Sequence, residues 1–213
     1  MSNFKKRFII SLLAFPIIYI LLYQKIFSNF LIFIVFIFCV YEWNKIFIKK
    51  NYIYLLGFLI LLFFLVSLLK IYNAENYNLK FLWLVLIAWL TDVGGYIFGK
   101  LFGGPKLIKI SPNKTYTGVF GSFFCSILFI YIFLFYIEIF YNLDFTFDLK
   151  FFSYIFFISF ISQTGDLVVS YFKRLSNIKD TGKLIPGHGG ILDRIDGMIF
   201  AFPVIFILDF YFK

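Results

Sequence analysis

The chain has 213 residues, of which 62% are hydrophobic and 15% charged, with 35 Phe and 15 Tyr among them, against roughly 45–50% and 25% in ordinary globular domains. A soluble body of this size lacks the interior to hide so much Phe, Ile and Leu, so the solvent around it is lipid. Twenty Lys and Arg against 11 Asp and Glu give a formal charge of +9. No basic run exceeds Lys5-Lys6-Arg7, and the other cations fall in short loops between apolar stretches; that argues against nucleic acid and reads as helix orientation.

One helical crossing takes about 20 apolar residues, which leaves room for roughly six to eight. In chain order the apolar runs predict seven helices, at about 8–23, 26–41, 52–69, 79–98, 119–141, 151–175 and 195–212. The first follows a basic start that would also suit a secretory signal, but no small-residue cleavage site comes after it and Tyr23-Gln24-Lys25 does, so an uncleaved span is expected. Cys39 and Cys125 lie in separate apolar runs without metal-type spacing and read as lipid-facing or packing residues. The fold class is all-α, a polytopic integral membrane protein of about seven transmembrane helices. No linker or repeat divides the chain, which is taken as one domain over 1–213, with amino-terminal spans at about 1–78 and the remaining portion at 79–213.

With the amino terminus in the cytoplasm, fifteen cations fall on that side: Lys5, Lys6, Arg7, Lys45, Lys49, Lys50, Lys100, Lys106, Lys109, Lys114, Lys173, Arg174, Lys179, Lys183 and Arg194. Only Lys25, Lys70, Lys80, Lys150 and Lys213 fall outside, the bias of the positive-inside rule. Orientation is therefore amino terminus inside and carboxyl terminus outside.

Two stretches break the apolar pattern, 91–118 and 165–197, both glycine-rich and both at the cytoplasmic helix ends of this topology; they are expected to meet in space. Glycine there lets backbone N–H groups approach phosphate oxygens, although turn-making alone would also explain it. An acid at a membrane edge is rare unless it meets a cation or a proton, which makes Asp92 and Asp166 candidates. For Asp92 a satisfied helix-end residue is an equal alternative. Helical spacing puts Asp92, Gly95, Tyr96 and Gly99 on one face, and Asp166, Ser170, Lys173 and Arg174 on another. Asp193 and Asp196, three apart at the start of the last span, would also suit a helix amino terminus. Together Asp166, Asp180, Asp193 and Asp196 offer hard oxygens for Mg²⁺, while Lys173, Arg174, Lys179, Lys183 and Arg194 offer charge for phosphate, the combination that phosphoryl or nucleotidyl transfer uses. His188, the single histidine, sits in a glycine-flanked turn, where phosphate contact, hydrogen bonding or proton transfer stands beside a structural role.

Ser170-Tyr-Phe-Lys173-Arg174, Lys179-Asp180, Gly182, Ile185-Pro186, His188-Gly189-Gly190 and Asp193-Arg194-Ile195-Asp196 span 27 residues without a gap. This block resembles the signature of the phosphatidate cytidylyltransferase (CDP-diacylglycerol synthase) family. Thr91-Asp92 through Tyr96 and Gly99, with Ser111-Pro112-Asn113-Lys114-Thr115, resembles the family's Asp-containing helix and Ser-Pro-x-Lys-Thr loop, and Tyr41-Glu42-Trp43 looks like its amino-terminal half. Tyr116 and Thr117 depart from the Trp and Glu common there, and Gly95 from a small Ala; the chain is also short for the family, which implies fewer amino-terminal spans.

The resemblance implies an enzyme that converts CTP and phosphatidic acid to CDP-diacylglycerol and pyrophosphate in phospholipid biosynthesis, with Mg²⁺ and a second cation such as K⁺, in the bacterial inner membrane among membrane lipids. Asp166 and Asp193 match the metal-binding acids, supported by Asp196 and Asp180, with Asp92 a further candidate. Lys173, Arg174, Lys179 and Arg194 match the family's cations, and His188 completes the catalytic set. Ser111, Lys114, Thr115, Ser170, Lys173, Arg174, Gly189 and Gly190 are the substrate-binding candidates. A homodimer stays open. A CTP-dependent lipid kinase, which would release CDP, and a transporter with intramembrane carboxylates are the alternatives; a transporter would not need cations interleaved with acids in one segment.

Overall fold

The computed structural model describes residues 25–47, 51–74, 77–108, 111–141, 148–182, 184 and 189–211. The elements run α1 (Lys25–Phe47), α2 (Asn51–Asn73), α3 (Tyr77–Phe102), β1 (Lys106–Ile108), β2 (Ser111–Thr115), α4 (Tyr116–Tyr141), α5 (Leu149–Leu175), α6 (Leu192–Ile195) and α7 (Met198–Tyr211). Five helices are long and apolar enough to cross a membrane, and α7 contains a shorter apolar stretch, Met198–Asp209. They answer to six of the seven predicted spans; the span at 8–23 lies outside the described residues. Side chains such as Ile26, Phe30, Tyr52, Trp89 and Phe120 are more than half exposed, an arrangement stable in hydrocarbon, where backbone groups are satisfied within each helix.

The described chain falls into two compact units. The first holds α1, α2 and residues 172–196. Asn29 and Asn73 exchange side-chain hydrogen bonds of 3.2 and 3.4 Å at one end of the α1–α2 pair. The Trp43 indole donates to the Tyr54 carbonyl at 3.1 Å at the other, so the two helices run antiparallel. Trp43 also meets Phe172 edge-on, with 5.7 Å between ring centroids. The last turn of α5 unwinds at Asn177, whose φ of 55° reverses the chain, while the N–H groups of Ser176 and Ile178 return to the Lys173 carbonyl, a carboxyl-terminal capping arrangement.

The second unit holds α3, the β1–β2 hairpin, α4, α5 as far as Tyr171, and α7. Glycines let α3 and α4 touch backbone to backbone: a Cβ on Gly118 would lie 2.8 Å from the Gly95 carbonyl, and one on Gly121 would stand 2.8 Å from that of Gly94 and overlap Phe98. Small residues bring membrane helices together because dispersion, with no hydrophobic drive, must supply the attraction. Thr91 donates to Ile87 O and shares a 2.8 Å hydrogen bond with Ser159, joining α3 to α5. Phe123 stacks on Phe156 with 4.3 Å between centroids, and Lys80 pairs with Asp209 at 2.5 Å.

Two expectations change. The Ser-Pro-x-Lys-Thr segment, read as a loop in an all-α protein, is the second strand of an antiparallel hairpin, with Lys106 opposite Thr115 and Ile108 opposite Ser111. Gly103 and Gly104, at φ of 60° and 105°, turn the chain out of α3 into it, a conformation that needs no Cβ. Asp193 and Asp196 do not open the last span: they belong to the separate one-turn α6 and its end, and the last helix begins at Met198.

Candidate active site

In the second unit a cavity of about 260 Å³ is lined by Thr91, Asp92, Gly95 and Tyr96 of α3, Ser111, Lys114 and Thr115 of β2, Gly118, Val119 and Ser122 of α4, and Gln163 and Asp166 of α5. Its construction is local. Thr115 accepts the Gly118 N–H on its Oγ1 at 3.1 Å, the hydroxyl cap that starts α4. The same Oγ1 lies 2.9 Å from the hydroxyl of Thr117, which donates to the Gly103 carbonyl. A Thr where Glu is common in the resembling family thus ties the hairpin entrance to the helix start. Lys114 and Asp166 form an ion pair across the cavity wall, both partly buried, and Ser170 donates to Asp166 Oδ1 at 3.3 Å.

In the first unit the signature segment closes on Lys173, which is 8% exposed. Its ammonium lies 3.0 Å from Asp193 Oδ1 and 3.9 Å from Asp196 Oδ2, so one buried cation serves two buried carboxylates. Asp193 Oδ2 accepts the N–H groups of Thr181 at 2.8 Å and Gly190 at 3.0 Å. Burial raises the Asp193 pKa, but the Gly190 N–H, the charge and hydrogen bond of Lys173 and the Thr181 N–H together outweigh it and hold the carboxyl below its ordinary range. Gly189, at φ 90°, could carry no side chain here: a Cβ would stand 2.9 Å from Asp193 Oδ2 and 3.7 Å from the Asp180 Cβ.

Arg174, Lys179, Asp180 and Arg194 are exposed, and Arg174 donates to the Ile178 carbonyl at 2.8 Å in its own loop. Asp92, Gly95 and Tyr96 line the cavity as their helical spacing predicts, whereas Gly99 lies beside Thr115 and Gly118. His188 and Lys183 lie outside the described residues.

Two residues escaped the sequence reading. Gln163 lines the cavity one turn before Asp166, and its Nε2 is buried with no hydrogen-bond partner; an amide within an apolar run was the available signal. Glu42, noted only as part of a resemblance, is 1% exposed and bonded to the signature segment. The rule that flagged Asp166, that an acid within a span is functional by default, would have flagged it too.

A family model described as the cytidylyltransferase family matches residues 4–212. The chain is 44% identical over 128 residues to the phosphatidate cytidylyltransferase of Staphylococcus haemolyticus, covering 60% of this chain and 47% of that protein. Over the same length and coverage it is 43% identical to that of Staphylococcus aureus and 44% to that of Staphylococcus epidermidis. The chain thus spans about half the length of the curated relatives it matches. With its match running almost from end to end, the chain belongs to the cytidylyltransferase family.

Proposed function

We propose that this membrane protein transfers the cytidylyl group of CTP to phosphatidic acid, forming CDP-diacylglycerol and pyrophosphate on the cytoplasmic side of a bacterial inner membrane. Family membership and the names of the relatives support the reaction class. The observation that carries the reading is the ion pair of Lys114 with Asp166 in a hydroxyl-lined cavity of a chain that is otherwise 62% hydrophobic. Such a site suits an anionic headgroup whose tails remain in lipid.

The chemistry asks little of the protein's own nucleophiles. An ionised phosphate oxygen of the lipid attacks the α-phosphorus of CTP, the bond from that phosphorus to the α–β bridging oxygen breaks, and its electron pair leaves with pyrophosphate. No proton has to be taken from the attacking oxygen, so no activated Ser or Cys is required. Lys114 exchanges Asp166 for a phosphate oxygen, while Lys173, Arg174 and Lys179 attract the phosphate charge to the membrane surface. Ser111, Thr115 and Ser170 donate hydroxyl hydrogen bonds.

The donors present fit Mg²⁺. Asp166 and Asp193 each turn a carboxylate oxygen toward an ammonium, a hard anionic donor of the type this ion takes. An ion of this kind is commonly bound through one or two carboxylates and substrate phosphates. Asp166 in the cavity, and Asp193 supported by Asp196 in the signature segment, are each candidates to hold it, and a second cation such as K⁺ would accompany it. When bound, Mg²⁺ neutralises charge developing on the phosphate oxygens.

Detergent-purified protein supplied with radiolabelled CTP, phosphatidic acid and Mg²⁺ should place label in a lipid and release one pyrophosphate per label, and a chelator should stop both. Release of CDP with a phosphorylated lipid would show a lipid kinase instead, and no turnover would defeat the assignment.

A further inference from the structure

Glu42 lies on α1, in a part of the chain to which the reaction assigns nothing. Its carboxyl is buried and accepts three hydrogen bonds from residues 139 to 150 positions away: the Thr181 hydroxyl at 3.0 Å, the Ile191 N–H at 3.0 Å and the Leu192 N–H at 2.9 Å. The surrounding backbone is shaped to that carboxyl. A Cβ on Gly182 would stand 2.6 Å from Glu42 Oε1, and one on Gly190 would overlap both Glu42 and Thr181. α6 has no side-chain cap of its own, so the N–H groups at its start find their acceptor on another helix.

The bonds alternate between two acids. Thr181 gives its hydroxyl to Glu42 and its N–H to Asp193. Gly190 gives its N–H to Asp193, while Ile191 and Leu192 give theirs to Glu42. Without the Glu42 carboxyl, buried donors lose their acceptor, and such donors cost most when left unmade. Asp193 would then be the one carboxylate left to serve them all, at the expense of its place opposite Lys173.

We propose that Glu42 is a positioning residue for the cytidylyl-transfer site: it acts as a strut that holds Thr181, Ile191 and Leu192 so that Asp193 and Lys173 present a fixed arrangement to substrate phosphates. The inference rests on the function proposed above for that pair. Orientation of this kind acts on turnover more than on substrate affinity.

The test compares wild type with Glu42→Gln, Glu42→Asp and Thr181→Val, each purified in detergent, by amide hydrogen exchange and by steady-state kinetics. Gln keeps the size and one acceptor oxygen but turns an NH₂ donor toward a backbone N–H that Glu42 had satisfied, and Asp is one methylene too short. Both should speed exchange at Ile191 and Leu192 on the order of tenfold, with α2 unchanged, as loss of a buried hydrogen bond predicts. Both should lower kcat on the order of tenfold with KM for CTP within about twofold. Thr181→Val removes one bond while keeping the N–H to Asp193, and should shift the same readouts in the same direction by less; it carries the test if the Glu42 variants do not fold. A side chain that only filled space would be rescued by the isosteric Gln. Unchanged exchange at Ile191 and Leu192, or unchanged kcat in a folded variant, overturns the strut. Wild-type protein without transfer activity would overturn the reaction and leave the exchange result to decide the strut.

Discussion

Asp166 and Lys173 show how differently one charge acts in two settings. Asp166 is partly buried against Lys114 and the Ser170 hydroxyl, and Asn in its place keeps shape and one acceptor oxygen while removing the charge. Asp166→Asn should insert and accumulate as wild type yet lose turnover roughly 10²-fold or more, the scale of losing one well-placed electrostatic partner. Near-normal CDP-lipid synthesis by that variant would exclude the residue from the site. Lys173 neutralises two acids and is 8% exposed. Lys173→Met leaves Asp193 and Asp196 buried together, and removing one partner from a buried ion pair costs roughly 3–5 kcal/mol. Thermal unfolding in detergent should therefore show a strongly lowered midpoint, where a loss confined to activity would mean that the charge is not needed for folding.

At the scale of elements, α3 and α4 meet through glycines and the hairpin between them carries the lysine of the cavity. The contact sets the cavity's width, because Gly95 and Gly118 line it as well as touching. Gly121 touches α3 without lining the cavity. Gly121→Leu should push the helices apart at a cost of about 1–3 kcal/mol from overpacking, with reduced activity although no cavity residue has changed. Unaltered thermal stability and turnover in this variant would show that the helices adjust independently of the site. The α3–α4 closeness was not legible beforehand, since the glycines at 94, 95 and 118 read as places for phosphate approach or for turns and not as a helix contact.

At the scale of the molecule, the distribution of cations predicts that Lys100 near the end of α3 and Lys179 in the segment after α5 face the cytoplasm, while Asn73 and Asp148 face outward. In a chain carrying Cys39→Ala and Cys125→Ala, single cysteines at Asn73 and Asp148 should react with a membrane-impermeant maleimide in intact cells. Cysteines at Lys100 and Lys179 should react only after the membrane is opened. The reverse pattern would invert the topology and place the site on the side opposite the one proposed.

Composition and periodicity alone determined the membrane solvent, the positions of the described spans and the polar segments that bear Asp166 and Asp193, because burial in lipid tolerates only apolar helices and leaves each charge conspicuous. The family was legible from the residues of one short segment. Partnership was not: that Lys114 would pair with Asp166, that Lys173 would serve Asp193 and Asp196, and that Glu42 would brace a turn some 140 to 150 residues away depended on which donor faced which acceptor once the helices packed. Hydrogen bonds and ion pairs are decided by distances of a few ångströms, and a linear pattern carries no such distances.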